Sequence, residues 1–129
     1  MKTFSKTIKV LPEQIDALGH VNNIHYLQWV QEVAQAHWEK LTQEVNSALG
    51  IWVVRSHNIT YKYPALEGDL VLLKTHVKQS RGVLSERIVE ILNTEQKLLA
   101  VCSTQWCYLD KENKKATPIP QEIIRLLHG

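Results

Sequence analysis

The chain has 129 residues, of which 44% are apolar and 22% charged, and its formal net charge is +2. This length and balance are typical of one globular domain, so we expect a single domain over residues 1–129. The basic residues are scattered rather than clustered, which argues against nucleic acid as a partner. No apolar stretch approaches the roughly 20 residues of a membrane span. Because the first residues also lack the apolar block of a signal peptide, we expect a cytoplasmic protein.

The first half of the chain predicts one strand and one long helix. Residues 4–11 alternate between apolar and polar and form a short strand that Pro12 ends. Helical spacing of apolar residues over about 24–45 predicts the helix, with Asn23 as its N-cap and Gly50 beyond its end. The predicted apolar face of the helix consists of Leu27, Val30, Val33, Ala34, His37, Trp38 and Leu41.

The second half predicts four strands, at 51–63, 69–79, 83–92 and 98–109, and a short helix over about 120–127. Short connections between these strands favour an antiparallel meander. The order of elements therefore indicates an α+β fold in which a curved five-stranded antiparallel sheet wraps around one long helix. One helix cannot cover such a sheet, so we expect a homodimer or a homotetramer.

The two cysteines, Cys102 and Cys107, fall in one predicted strand. Five residues of strand separate them by roughly 17 Å and place them on opposite faces. A disulfide needs Cα atoms within about 7 Å, so we expect two free thiols, as in a reducing compartment.

The loop before the long helix carries most of the chemistry in this sequence. Residues 16–23 read Asp-Ala-Leu-Gly-His-Val-Asn-Asn and open directly onto the helix. A carboxylate placed beside the amides of a helix N-terminus can act on a carbonyl group while those amides stabilise the developing oxyanion. Asp16 is equally explained, from its residue type alone, as a loop acid that caps a turn.

With its continuation to residue 26, this loop reads Asp-x-x-Gly-His-Val-Asn-Asn-x-x-Tyr. The motif, placed between a first strand and a long helix, resembles the hot-dog fold. More narrowly, it resembles the group of 4-hydroxybenzoyl-CoA thioesterase-like and acyl-ACP thioesterases. The resemblance covers nearly the whole chain and extends to Tyr26…Trp29, Ile59-Thr60-Tyr61…Pro64-Ala65 and Gly68-Asp69.

The resemblance implies hydrolysis of an acyl-CoA or acyl carrier protein thioester without a cofactor. Asp16 would act as nucleophile or general base, with His20 as a second catalytic residue. Oxyanion donors would lie near Asn23 or Ile24, and Asn22 would support the loop.

The chain departs from the plant-type pattern at two positions. Leu18 and Thr60 stand where those enzymes carry an asparagine and an acid. An Asn–His–acid mechanism therefore does not transfer, whereas one centred on Asp16 is unaffected.

For several residues a structural role competes with the functional one. His20 is nearly as well explained as a loop-bracing histidine. We expect Tyr26 and Trp29 to bind substrate, although both also fit core or pocket-wall residues. We expect Lys62 and Arg81 to bind substrate through the phosphates of CoA. Arg55 and Arg87 are further candidates, although each of these four cations, taken alone, fits a solvated surface charge.

No histidine or acid spacing predicts a metal site, since His25 and His37 lie twelve residues apart. Two other functions stay open at this stage. The first is a non-catalytic acyl-binding or scaffold protein of the same fold. The second, the dehydratase branch of the fold, needs an acid within the central helix, for which only Glu32 stands in.

Overall fold

The computed structural model describes residues 2–129, so Met1, the first residue of the predicted domain, lies outside it. The chain forms five strands and two α-helices, and all five strands belong to one antiparallel sheet. None of the described helices is both long and apolar enough to span a membrane. The elements are β1 (Thr3–Lys9), α1 (Asn23–Leu41), β2 (Ile51–Tyr61), β3 (Leu70–Arg81), β4 (Leu84–Asn93), β5 (Leu98–Leu109) and α2 (Gln121–His128).

The strand order in the sheet is β1-β3-β4-β5-β2, so the prediction of a four-strand meander is wrong. Only β3, β4 and β5 are joined as consecutive hairpins, while β2 lies beside β5 at the far edge. The connection from β2 to β3 is held near the start of α1. There the Ala65 carbonyl accepts from the Val21 amide, and the Gly68 amide donates to the Val10 carbonyl. This anchoring keeps the connection from forming a hairpin turn.

Helix α1 begins at Asn23, one residue before its predicted start, and ends earlier than predicted. The N-cap is Asn22, whose side-chain oxygen accepts a hydrogen bond from the Ile24 amide at 3.1 Å. At the other end, both the amide and the hydroxyl of Thr42 donate to the Trp38 carbonyl. A threonine hydroxyl bound to the backbone four residues earlier competes with further helical turns, so the helix stops at Leu41.

The predicted apolar face of α1 is largely confirmed, because Val30, Val33, Ala34 and His37 are buried. Tyr26 and Trp29 extend this face toward the start of the helix. The face packs against the sheet around Leu73, Val89, Ile91 and Cys102. A second cluster forms under α2, where Ile123 and Leu127 meet Val77, Tyr108, Trp38 and Trp52.

Both cysteines lie on β5, and both are free. Cys102 is buried in the core and Cys107 is half-buried. Burial raises the pKa of the Cys102 thiol, which favours an inert structural cysteine.

Candidate active site

The loop before α1 is a closed structure. An isolated bridge joins Ile15 to Val21, and inside it the Asp16 amide donates to the His20 carbonyl at 2.8 Å. The turn is completed by the Gly19 amide, which donates to the Asp16 carbonyl at 3.1 Å. Gly19 has φ +79°, a conformation that other residues adopt only with strain. The sequence therefore needs a glycine here to bring Asp16 and His20 to one end of the loop.

The two carboxylate oxygens of Asp16 differ in their surroundings. Oδ1 accepts hydrogen bonds from the Leu18 amide at 2.9 Å and from the His20 amide at 3.4 Å. Oδ2 accepts none from residues 2–129. One carboxylate oxygen of Asp16 therefore caps the turn, as its residue type allows. The other oxygen has no hydrogen-bond donor among the described residues.

The backbone amides at the start of α1 have distinct partners. The Asn22 amide donates to the Gln14 carbonyl, the Ile24 amide to the Asn22 side chain, and the His25 amide to the Asn22 carbonyl. The Asn23 amide makes no hydrogen bond within the described part of the chain. Asn23 is therefore the better of the two predicted oxyanion donors, since the Ile24 amide is already used by the cap.

Tyr26 joins the first turn of α1 to the segment after β2. Its hydroxyl accepts a hydrogen bond from the Ala65 amide at 2.9 Å, and its ring packs edge-on against Trp29 and Tyr61. Burial raises the pKa of the Tyr26 phenol, which therefore stays neutral. This contact holds residues 61–65 against the start of the helix and forms one wall of a cleft.

The cleft has a volume of about 370 Å³ and lies between the loop and the end of β2. Most of the predicted site residues line it. Its apolar lining is exposed, with Leu18 80%, Tyr61 41% and Tyr63 50% accessible. Such an open apolar rim is typical of a surface that receives a ligand or a partner. The predicted site residues along the cleft are Asp16, His20, Asn22, Asn23, Tyr26 and Lys62.

Other predicted residues lie outside the cleft. The side chain of Ile24 is exposed beside it, and Trp29 is buried in the core. Arg81 lies at the far end of β3, whose 12 residues span roughly 35 Å. Within one chain, therefore, Arg81 is not brought to the Asp16 cleft. Glu32 is exposed on α1, so the helix does not place an acid in the cleft as a dehydratase would require.

Among the candidate residues, Arg87 is the one whose observed position differs most from the predicted one. Interpreted from sequence as a solvated cation, it is only 5% exposed and faces the core. It lies two residues before Val89 and four before Ile91 on β4, so it shares their buried face of the strand. Among the described residues no three His, Cys, Asp or Glu side chains converge as metal ligands.

A long helix on an antiparallel five-stranded sheet, with a polar loop and a cleft at the helix start, is the architecture of the hot-dog fold. The chain belongs to the thioesterase-like superfamily, whose sequence model matches residues 10–127.

Individual relatives agree with this assignment. The chain is 29% identical over 124 residues to the long-chain acyl-CoA thioesterase FadM of Escherichia coli strain K12, with 90% of both chains covered. The probable thioesterase YbaW from Escherichia coli is 25% identical, with a TM-score of 0.85 and 95% of both chains covered. A 1,4-dihydroxy-2-naphthoyl-CoA thioesterase from Synechocystis is 21% identical, with a TM-score of 0.82 over 98% of this chain and 96% of that one.

Proposed function

We propose that the protein hydrolyses acyl-CoA thioesters at the Asp16 cleft, releasing a free acid and CoA. One observation carries the proposal: within residues 2–129, neither Asp16 Oδ2 nor the Asn23 amide has a hydrogen-bond partner, and both residues line the same cleft. A nucleophile and an oxyanion donor at one cleft are what thioester cleavage requires. The similarity to FadM, a long-chain acyl-CoA thioesterase, supports CoA rather than a carrier protein as the thiol.

The reaction begins when Asp16 Oδ2 acts on the thioester carbonyl carbon. If Oδ2 attacks directly, the C–S bond breaks, CoA leaves as the thiolate, and water then opens the resulting anhydride. If Oδ2 instead takes a proton from water, the hydroxide attacks and the same C–S bond breaks. On either route negative charge builds on the carbonyl oxygen, where the Asn23 amide stabilises it.

His20 and Lys62 act on the substrate in this mechanism. The His20 imidazole makes no hydrogen bond to Asp16 within the described chain, so it does not orient the acid. Its position along the cleft suits protonation of the departing thiolate. Lys62 lines the cleft, and the Lys97 Nζ packs over the ring of Tyr63, another lining residue, at 3.6 Å. We expect both cations to bind the phosphates of CoA.

The proposal predicts that the purified protein releases free thiol from at least one acyl-CoA in a panel of aliphatic and aromatic esters. Thiol release is followed with a chromogenic disulfide, and each ester is also offered as the acyl carrier protein thioester. We expect turnover with CoA esters at a higher kcat/KM than with carrier esters. Binding of acyl-CoA without thiol release would instead support the non-catalytic acyl-binding alternative.

We further propose that the protein is a homo-oligomer built from a dimer that pairs β2 with its copy. β2 is an edge strand of 11 residues, and its Val53 is 41% exposed. An uncovered edge strand of this length readily adds a second strand. The dimer would also be the unit of a homotetramer.

Light scattering tests the oligomeric state. At micromolar concentration we expect at least twice the mass of one chain, and the Val53→Lys variant is expected to shift to monomer because a charge at the edge opposes pairing. Val101→Lys, on an inner strand that is already paired on both sides, serves as the matched control for added charge. A wild-type protein that is monomeric at these concentrations would contradict the dimer.

A further inference from the structure

A second cavity, of about 400 Å³, lies between the second half of α1 and the sheet. It shares no lining residue with the Asp16 cleft. On α1 the nearest lining residues of the two sites are Tyr26 and Gln31, five residues and roughly 7.5 Å apart along the helix. Its walls are mostly apolar, formed by Trp38, Trp52, Val77, Trp106 and Leu127.

The floor of this cavity contains a buried positive charge. Arg87 donates through Nη1 to the His37 Nδ1 at 2.9 Å and to the Thr75 hydroxyl at 3.1 Å. Burial lowers the pKa of Arg87 only to about 10, so the guanidinium stays charged at neutral pH. His37 is the acceptor and carries no compensating charge, because burial and the nearby Arg87 lower its pKa to about 4. Within residues 2–129, no carboxylate pairs with Arg87.

Arg87 retains unused hydrogen-bond donors. Its Nε and Nη2 make no hydrogen bond with the described residues, and neither is sealed away from the cavity. A guanidinium presents its donors as a planar fork that matches the two oxygens of a carboxylate. A buried cation without a counter-charge is unfavourable, so a bound anion would stabilise the site.

Trp106 lines the same cavity, but its indole N–H is closed off from the open space. Its indole Nε1 is buried and is the one buried side-chain nitrogen or oxygen without a partner in the described chain. Trp106 lies opposite Ser85 in the sheet, and Ser85 is two residues from Arg87 on the same face of β4. The charged donors that are open to the cavity are therefore those of Arg87.

We propose that this cavity binds a carboxylate with an apolar body, its oxygens on the guanidinium of Arg87 and its body against the tryptophan walls. A carboxylate fits better than a phosphate because the walls are mostly apolar and a single guanidinium supplies the positive charge. If the proposed thioesterase function holds, a carboxylate with an apolar body can come from two sources. One is the free acid released by hydrolysis, and the other is a carboxylate at the far end of the acyl group.

Binding of octanoate, compared with 1-octanol of equal chain length, tests the proposal directly. Titrations of the full chain are followed by tryptophan fluorescence, since three tryptophans line the cavity. We expect octanoate to bind at least about tenfold more tightly than octanol. The Arg87→Met variant is expected to lose this preference, while Arg125→Met, which replaces an exposed arginine on α2, retains it. Equal affinity for the two ligands in the wild type, or a preference that survives in Arg87→Met, would overturn the proposal.

Arg87→Lys provides a second variant should Arg87→Met fail to fold. It keeps the positive charge but loses the planar fork of donors, so it is expected to weaken octanoate binding about threefold or more and to leave octanol binding unchanged. An unchanged octanoate affinity in folded Arg87→Lys would count against the guanidinium as the partner of the carboxylate and with it the proposed site. Binding needs no turnover, so octanoate affinity that is unchanged in Asp16→Asn separates this site from the catalytic cleft.

Kinetics then distinguish the two sources. If the free acid is the ligand, octanoate alters turnover of acyl-CoA in the wild type, and Arg87→Met relieves the effect. If the far end of the substrate is the ligand, an acyl-CoA with a terminal carboxylate has a higher kcat/KM than its methyl-ended counterpart, and Arg87→Met removes the difference.

Discussion

Replacement of Asp16 by asparagine is expected to lower kcat for acyl-CoA hydrolysis by about 10²–10⁴-fold, the range for loss of a positioned acid or base. Asparagine keeps the side-chain oxygen that accepts from the Leu18 and His20 amides, so the loop stays closed. What is lost is the negative charge of Oδ2 and with it the nucleophile or base. Steady-state thiol release, with circular dichroism to confirm the fold, measures the effect.

Glu13→Gln is the matched control for Asp16→Asn. Glu13 is an exposed acid in the turn Pro12–Gln14, three residues before Asp16, and it does not line the cleft. The same change from acid to amide there is expected to leave kcat within about twofold, as for a surface substitution away from the site. Turnover by folded Asp16→Asn equal to that of the wild type would remove Asp16 from the mechanism.

The second large effect is an acid-induced loss of stability that comes from His37. This side chain is 2% exposed, stacks on Phe4 at 5.2 Å and faces the cations Arg87, Lys40 and Lys2. Burial, followed by the charge of Arg87, lowers its pKa from 6.5 to about 4. Between these values the unfolded chain binds a proton that the folded chain does not. The stabilisation is therefore complete above about pH 6.5 and is lost as the pH falls toward 4.

The expected loss is about 2–3 kcal/mol in the free energy of unfolding between pH 7.5 and pH 4.5, since one pKa unit corresponds to about 1.4 kcal/mol. Urea unfolding of the wild type and of His37→Asn at both pH values isolates this contribution, because other acid-sensitive groups cancel in the comparison. An asparagine at position 37 can still accept a hydrogen bond from Arg87 but does not titrate. The free energy of unfolding of His37→Asn should therefore fall by about 2–3 kcal/mol less than that of the wild type over the same pH range. An equal loss of unfolding free energy in the wild type and in His37→Asn would show that His37 does not titrate as described.

The sequence predicted the fold well where the signals are local. The strand Leu98–Leu109 has the predicted bounds, and the long helix begins within one residue of its predicted start. Long-range pairing was harder to predict, because contacts made by residues 65–68 with Val10, Val21 and Tyr26 decide the path from β2 to β3. No local pattern in that segment distinguishes a hairpin from a connection to the other edge of the sheet.

The residues of the cleft were also predictable, because Asp16, His20, Asn22 and Asn23 are neighbours in the chain. Their placement at one cleft follows from a loop that Gly19 closes. The hydrogen bonds that divide the roles of Asn22 and Asn23 were not predictable, since either asparagine fits the cap position. Their catalytic and binding roles stay predictions until the variants are measured.

Arg87 shows where residue type and strand position disagree. An arginine is normally exposed, but Arg87 shares the inner face of β4 with Val89 and Ile91. The outer face of the same strand carries the apolar residues Leu84 and Ile88, so the pattern alone did not decide which side faces the helix. Packing of α1 on the sheet resolves the choice and creates a buried charge that the sequence did not reveal.

A crystal structure of Asp16→Asn with an intact acyl-CoA tests the central claim most directly, because this variant is expected to bind the ester without cleaving it. We predict the thioester carbonyl carbon within about 3.5 Å of the side chain at position 16, and the carbonyl oxygen about 3 Å from the Asn23 amide nitrogen. A thioester bound at any other part of the protein, with the Asn23 amide still unpaired, would contradict the proposed active site.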